Sequence, residues 1–506
     1  LINNEQIFIN NLETAMSRST PKIRLLLVAL LLPALALAQS MTLAEAVDTA
    51  LRGNEKIRQY EERLKQKKQA NKAAWGNFLP TAKVEASYRH LDAPLAIDLD
   101  PIREAIITIQ AGNQTEMTNI YSLLQGKAPL SAAQRQALNG QYYGALDGLL
   151  PPFSETLKKQ DYPSAALVGV QPLFVGGKLI AAKKYAAAEE EAAAAELIQV
   201  RNQVFKQAAN DYFAVALLQQ VVATRADVLE GMKRHRLDAQ RLFEEGLIPR
   251  YHLLRAEVAV ADAERNLLDD QNKLDLARIA LAHTLGLESA SVLLAADTLA
   301  YTAAGDSLDA LIYSAQENQP LLHLVAMKQR AARQNYAVAR SELLPEVAGF
   351  GKYELYPEYL SALEPRWVVG IQANWTLFNG LKRMHALQQS VHLEREVEHI
   401  QKDARQQVDL WVQKAWRDAA NARSRYEKLA TTLALADENL RLNDKRFQSG
   451  LGTSLEVVDA RLSQERIRME RLSSLQAYYS ALADIYIAAG KPEALLKVWN
   501  RNKQVD

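Results

Sequence analysis

Two periodicities divide this chain. Over residues 367–377, Trp367, Val369, Ile371, Ala373, Trp375 and Leu377 take every second position, with Gly370, Gln372, Asn374 and Thr376 among those between. Strand side chains point alternately to opposite faces, so the pattern predicts a strand with one apolar face and aromatic residues towards its ends. Its length matches the ~9–11 residues with which a tilted strand crosses a bilayer. A half-buried strand of a soluble sheet carries the same alternation. Weaker alternation predicts a strand over about 83–91, where Val84, Ala86 and Tyr88 oppose Lys83, Glu85, Ser87 and Arg89. Two more are predicted over about 165–174, which contains Pro172, and about 347–356, where Tyr353 and Leu355 alternate with Lys352 and Glu354. The 367–377 pattern sets the fourth strand at about 366–378.

After Gly176 and Gly380 the period becomes helical. Residues 178–244 contain no Pro and a single glycine, Gly231. As one helix these 67 residues span roughly 100 Å. In the later segment Val397, Ile400, Ala404, Val408, Trp411 and Ala415 recur at steps of three and four, a coiled-coil seam. A helix of this length cannot bury itself in a compact domain, which predicts partners of equal length. Gly246 and Gly450, each followed by a leucine (Leu247, Leu451), suit helix C-termini. Returning helices start near Pro249 and near Thr453 or Ser454, and run back to Gly286 and Gly490. Further helices over about 42–76 and 307–342 end before Pro80 and Pro345.

The pattern occurs twice. A shift of 204 residues places Phe174 on Phe378, Gly176 on Gly380, Phe243 on Phe447, Gly246 on Gly450 and Gly286 on Gly490. Upstream the shift is 265, placing Gln69 on Gln334, Leu79-Pro80 on Leu344-Pro345 and Tyr88 on Tyr353. The two shifts differ by 61, which locates a 61-residue insertion between Tyr88 and Phe174. The insertion, about 92–162, is rich in Pro and Gly and reads as a long loop with a short helix near Ser131–Leu138. The organisation is thus a signal region at 1–38, a first repeat at 39–290, a second at 291–490 and a C-terminal tail at 491–506. The helical hairpins of the two repeats cover 178–286 and 381–490.

The signal region rests on Arg18, Lys22 and Arg24 before the apolar run Leu25–Leu37, with Ala36-Leu37-Ala38 as a cleavage pattern. Residues 1–15 read as an upstream extension, with Met16 as the true start. No later stretch reaches the ~18 apolar residues of a membrane helix, so membrane insertion requires a β-barrel. Four strands cannot close one, because the smallest membrane barrels have ~8. Copies must therefore pool strands, and both a dimer and a trimer satisfy this requirement.

Charge excludes more than it identifies. The 60 Lys+Arg balance 59 Asp+Glu, which gives no footprint for nucleic acid. With no Cys there is no disulfide and no thiolate metal site or nucleophile. No nucleophile elbow, phosphate loop or zinc-protease motif occurs, so nothing points to an enzyme or to a cofactor. His385, His392 and His399 share a helix stripe, but seven residues separate them by ~10.5 Å, too far for two to bind one metal. Glu189-Glu190-Glu191, Lys65, Lys67 and Lys68 read as solvated charge.

The chain resembles the TolC family of outer-membrane efflux proteins from about Thr42 to Lys491. The residues that carry the resemblance are Pro172-Leu173-Phe174-Val175-Gly176-Gly177, Leu377-Phe378-Asn379-Gly380, and the segment from Phe447 through Gly450-Leu451 and Glu456 to Asp459-Ala460. The resemblance implies a mainly α fold with a β-barrel part. Three chains would share a twelve-stranded outer-membrane barrel, four strands each, above a coiled-coil helical barrel in the periplasm. It implies a homotrimer in contact with membrane lipid, docked on a periplasmic adaptor protein and an inner-membrane transporter, as a passive duct for tripartite efflux or type I secretion. It places a pore gate at the tips, with Glu456 and Asp459 in rings. The positions that carry polar tip contacts in the family hold Phe447, Gly452 and His252, so the same closing hydrogen bonds are not available. A pore-free periplasmic scaffold or adaptor is the alternative that long hairpins allow.

Overall fold

The computed structural model describes residues 39–287, 293–361 and 363–501. The expected signal region, the expected boundary between repeats at 290–291 and the end of the tail lie outside these residues. In chain order the elements begin with β1 (Gln39–Met41), α1 (Leu43–Gly53), α2 (Glu55–Gly76), β2 (Thr81–His90), β3 (Leu95–Asp98), α3 (Asp100–Leu124) and α4 (Ala132–Leu149). There follow β4 (Ser154–Lys158), β5 (Asp161–Phe174), α5 (Lys178–Glu244), α6 (Arg250–Leu285), β6 (Leu293–Ala295), α7 (Leu308–Asn318) and α8 (Pro320–Ser341). The last are β7 (Glu346–Glu354), β8 (Trp367–Asn374), α9 (Lys382–Gln448), α10 (Ser454–Ala488) and α11 (Glu493–Asn500). They form two compact units, a helical one (residues up to 71, 184–333 and from 391) and a sheet one (72–183 and 334–390).

In the helical unit the two long helices, α5 and α9, meet near their ends at Phe447 and His235, but neither is the other's partner along its whole length. The partner of each is two shorter helices in tandem. Along α5, α2 supplies Arg63 to Glu196 (3.2 Å) and Lys67 to Glu189 (2.8 Å), and α6 supplies Asp270 to Arg225 (2.7 Å). Along α9, α8 supplies Arg333 to Glu394 (3.2 Å) and α10 supplies Arg461 to Asp444 (3.2 Å). The helices expected over 42–76 and 307–342 are each broken, at Asn54 (ψ 123°) and Gln319 (ψ 118°), positions related by the 265-residue shift. The cause is a close approach at the end of the returning helix. A Cβ on Gly286 would lie 2.5 Å from the Gly53 carbonyl oxygen, and one on Gly490 2.6 Å from that of Asn318. Asn54 Nδ2 donates to Thr284 O (3.0 Å) and Gln319 Nε2 to Ala488 O (2.9 Å).

The largest buried cluster lies in this unit, around Tyr212, Phe213, Tyr479 and Trp499. Trp499 meets Tyr479 edge-on at 4.8 Å, a favoured aromatic geometry. Asp297 accepts hydrogen bonds from Tyr212 OH (3.0 Å) and Trp499 Nε1 (3.0 Å). The tail therefore contributes α11 to the core rather than only a free end. The acidic triplet is only partly a solvated face, with Glu191 exposed and Glu189 covered. Glu189 pairs with Lys67 (2.8 Å) and Lys328 (2.9 Å), Glu190 accepts from Asn71 (2.8 Å), and Glu191 reaches Arg330 (3.3 Å). The triplet thus ties α2 and α8 to α5.

In the sheet unit, β2, β5, β7 and β8 form an antiparallel sheet in that order. Register places Val84, Leu167, Tyr353 and Trp367 in one cross-strand row, and Lys83, Val168, Lys352 and Val368 in the next. One face is thus apolar and the other carries the Lys83–Glu85 and Lys352–Glu354 pairs, each 2.6 Å. Every residue of β2 is exposed, and all of β8 except Gly370. β5 is broken by a bulge between Pro172 and Phe174, consistent with the missing N–H of proline. β8 ends at Asn374, short of the expected 378, and Trp375 turns its Nε1 to Leu343 O (3.1 Å).

The insertion is folded, not a long loop. β3 and β4 pair as a stem, and the two helices between them in sequence, α3 and α4, pack on each other. Ile107, Ala111, Thr115 and Asn119 recur at steps of four and are buried on one side of α3. Ser131 and Gln134 form a capping box that starts α4. The glycines that read as loop signals, Gly140, Gly144 and Gly148, lie inside α4, where an added Cβ meets nothing within 4 Å.

Candidate functional site

The two glycine turns of the helical unit form the candidate site. Each follows from its sequence in the same way. Gly246 (φ 72°) and Gly450 (φ 69°) take the left-handed conformation that ends a helix cheaply only for glycine. Leu247 N then donates back to Leu242 O, and Leu451 N to Arg446 O, both at 2.8 Å, closing the long helices. Leu247 and Leu451 are left 64% and 75% exposed at the ends of the turns.

The second turn leads into α10 through a full capping box. Thr453, not Ser454, is the N-cap, and its side chain accepts from Glu456 N. Glu456 Oε2 accepts from Thr453 N (2.7 Å), and Arg446 stands 3.9 Å from the Glu456 carboxylate. The Thr453 amide, aided by Arg446, holds the Glu456 carboxyl below the usual carboxylate range. Asp459 is exposed one turn further along the same helix. Glu456 and Asp459 are therefore brought to one helix start.

Phe447 and His252 are both buried within the chain. Phe447 is 1% exposed and packs with Ala239, Leu242, Ala256 and Val457. Its ring lies 4.6 Å from that of His235. His252 is also buried, against Tyr251 (4.2 Å between rings), and its Nδ1 has no hydrogen-bond partner. An apolar ring at 447 thus joins the two hairpins from inside one chain.

The site also holds residues that sequence reasoning passed over. His235 Nε2 lies 2.7 Å from the buried Ser454 Oγ, and burial, with Arg461 nearby, pushes its imidazole down to about 4. Arg461 fills the notch left by Gly231, where a Cβ would stand 1.8 Å from its Nη1. Its partner Asp444 is raised by burial, with Arg461 opposing the shift. Above them Arg225 pairs with Asp270 (2.7 Å) and with Glu465, tying α5, α6 and α10 together. Burial opposes ionisation of Asp270, but Lys273 and Arg225 outweigh it and hold the carboxyl low. The signal available was the repeat itself. The other copy has Leu429, Ser474 and Ala261 at the positions of Arg225, Asp270 and Glu465. Among the described residues no cluster of His, Asp or Glu could hold a metal ion.

Comparison with known proteins follows the same lines. The model of a family described as outer membrane efflux protein matches residues 152–287 and 311–491. Among curated proteins none matches this sequence. VceC, an outer membrane protein of Vibrio cholerae, superposes with a TM-score of 0.67 at 18% identity, over 89% of this chain and 96% of that one. The open state of the MtrE outer membrane channel of Neisseria gonorrhoeae gives 0.65 at 15%, over 89% of each chain. The CmeC outer membrane channel of Campylobacter jejuni gives 0.65 at 12%, over 89% and 86%. At these identities the likeness establishes the fold.

Proposed function

The chain belongs to the outer membrane efflux protein family, and from that premise we propose that three copies close one duct gated at the helical tips. As a family member it works in the outer membrane as an efflux channel protein. The observation that carries the three-copy reading is the sheet. Its two edge strands, β2 and β8, each leave their outer edge without a strand partner, one face is apolar and the other charged. Lipid suits the first face and a water-filled lumen the second. Three copies give twelve strands, enough to close a barrel where four are not. A pore-free scaffold has no use for such a sheet.

At the tips, threefold symmetry gathers three copies each of Glu456 and Asp459. The Thr453 capping box fixes Glu456 at a helix N-terminus and keeps it ionised, so the rings present negative charge to whatever enters. Leu247 and Leu451 offer the apolar ends onto which a periplasmic adaptor and, through it, an inner-membrane transporter can dock. The experiment is single-channel recording in planar bilayers. Glu456→Gln with Asp459→Asn weakens block by multivalent cations, on the order of tenfold, and makes conductance more variable. Unchanged cation block removes these residues from the gate.

A further inference from the structure

Helix α3 of the insertion has one face covered and one bare. The covered face packs on α4, where Arg103 Nη2 pairs with Asp147 (2.7 Å) and Arg135 reaches Glu116 (3.5 Å). On the other face Ile102, Ile106, Ile109, Met117, Ile120 and Leu124 are between 47% and 80% exposed. Their spacing is four, three, eight, three and four, and Asn113 halves the gap of eight. That is a coiled-coil seam with one polar residue set into it, the device that fixes register and strand number.

Three observations choose the occupant. The seam repeats at steps of three and four with an eleven-residue period, a spacing at which copies of one helix interdigitate in a shallow supercoil. The segment lies in the insertion that follows β2, the edge strand that has to pair with a neighbouring copy, with only the short β3 between them, so the two contacts lie close together along the chain. Lipid is a poor match. Helices that lie on anionic membranes carry Lys and Arg along the polar face. α3 has no Lys, and its single Arg is already held by Asp147 and by the Leu150 carbonyl oxygen (2.7 Å).

We propose that the α3 helices of three copies pack seam to seam, with the three Asn113 side chains meeting in the middle, as a second interface between protomers apart from the barrel. This rests on the three-copy reading of the channel. It gives the 61-residue insertion of the first repeat a purpose that the second repeat does not need.

The chain has no Cys, so Ile109→Cys introduces a lone thiol. Outer membranes carrying this variant are oxidised with copper phenanthroline and run unreduced, boiled and unboiled. The expected result is a covalent dimer after boiling, because a disulfide joins two of three copies, and no such band for Gln136→Cys on α4. Ile120→Cys is a second position on the same seam and behaves like Ile109→Cys. The unboiled trimer band reports the three-copy assembly independently. A trimer band without a covalent dimer from either seam variant overturns the inference and leaves the trimer standing. Loss of both overturns both. Labelling of the Ile109→Cys thiol by a lipid-phase maleimide, with no cross-link, assigns the seam to the bilayer and overturns the inference as well.

Discussion

At the scale of residues, Leu381 has φ 63° and is the one non-glycine at positive φ among the described residues. Its counterpart in the first repeat is Gly177, at φ 85° with nothing near its Cβ position. The second repeat thus bears backbone strain of about 1–2 kcal/mol that the first avoids. Leu381→Gly should stabilise the protein by about 1 kcal/mol and Gly177→Leu should destabilise it by a similar amount, read as opposite shifts of the chemical-denaturation midpoint. His235 gives a pH dependence. Its unfolded value is ~6.5 and the fold pushes it to about 4, so the fold holds the neutral ring. Its contribution is complete above pH ~6.5 and is lost as pH falls from there towards about 4. Amide exchange around 447–458 should speed up across that window, and His235→Asn should flatten the response. Little of this is legible in sequence. Gly231 stands out as the lone glycine of a 67-residue helix, but Arg461, which explains it, comes from another helix. His235 has no local pattern at all, since Ser454 and Phe447 reach it only through the tertiary fold.

At the scale of elements, periodicity does well where one face of a segment is buried and poorly where contacts are brief. The long helices stand in the sequence because charge and alanine surround a seam unbroken by proline. The breaks at Asn54 and Gln319 do not, because their cause lies at Gly286 and Gly490 in other helices. The insertion misleads for the opposite reason. Its glycines punctuate a sequence reading, yet three of them sit on an open side of α4 where no side chain is required. The ion triad that joins α5, α6 and α10 makes a clear demand on stability. The side chains of Asp270 and Glu465 are each 6% exposed, so removing the guanidinium leaves Glu465 a buried carboxylate without its cation and Asp270 with Lys273 (2.7 Å) alone. Arg225→Met should destabilise these helices by about 3–5 kcal/mol, whereas the same triad replaced together by apolar residues should fold. Denaturation of the single and triple variants distinguishes the two outcomes.

At the scale of the whole molecule, duplication is the most legible feature, because two constant shifts require no tertiary knowledge. Closure of the barrel is the least legible, since it depends on copies absent from the sequence. Register nevertheless defines the exposed edge. Glu354 N bonds Arg366 O (2.8 Å), so the backbone groups of Arg366 and each second residue after it face β7. Those of Val369 and Ile371 face outward. Val369→Pro with Ile371→Pro should therefore spare the β7–β8 ladder and abolish the heat-resistant trimer, seen as monomer on unboiled gels. The unpaired edges also have a genetic meaning. A chain blocked at β8 still offers a sound β2, so it can join normal copies and leave their ring open. With equal synthesis and random mixing only about one trimer in eight escapes a defective member. A lesion on one edge should behave as a dominant poison, sensitising cells that still carry an intact copy of the gene, whereas a chain that loses both edges should be recessive.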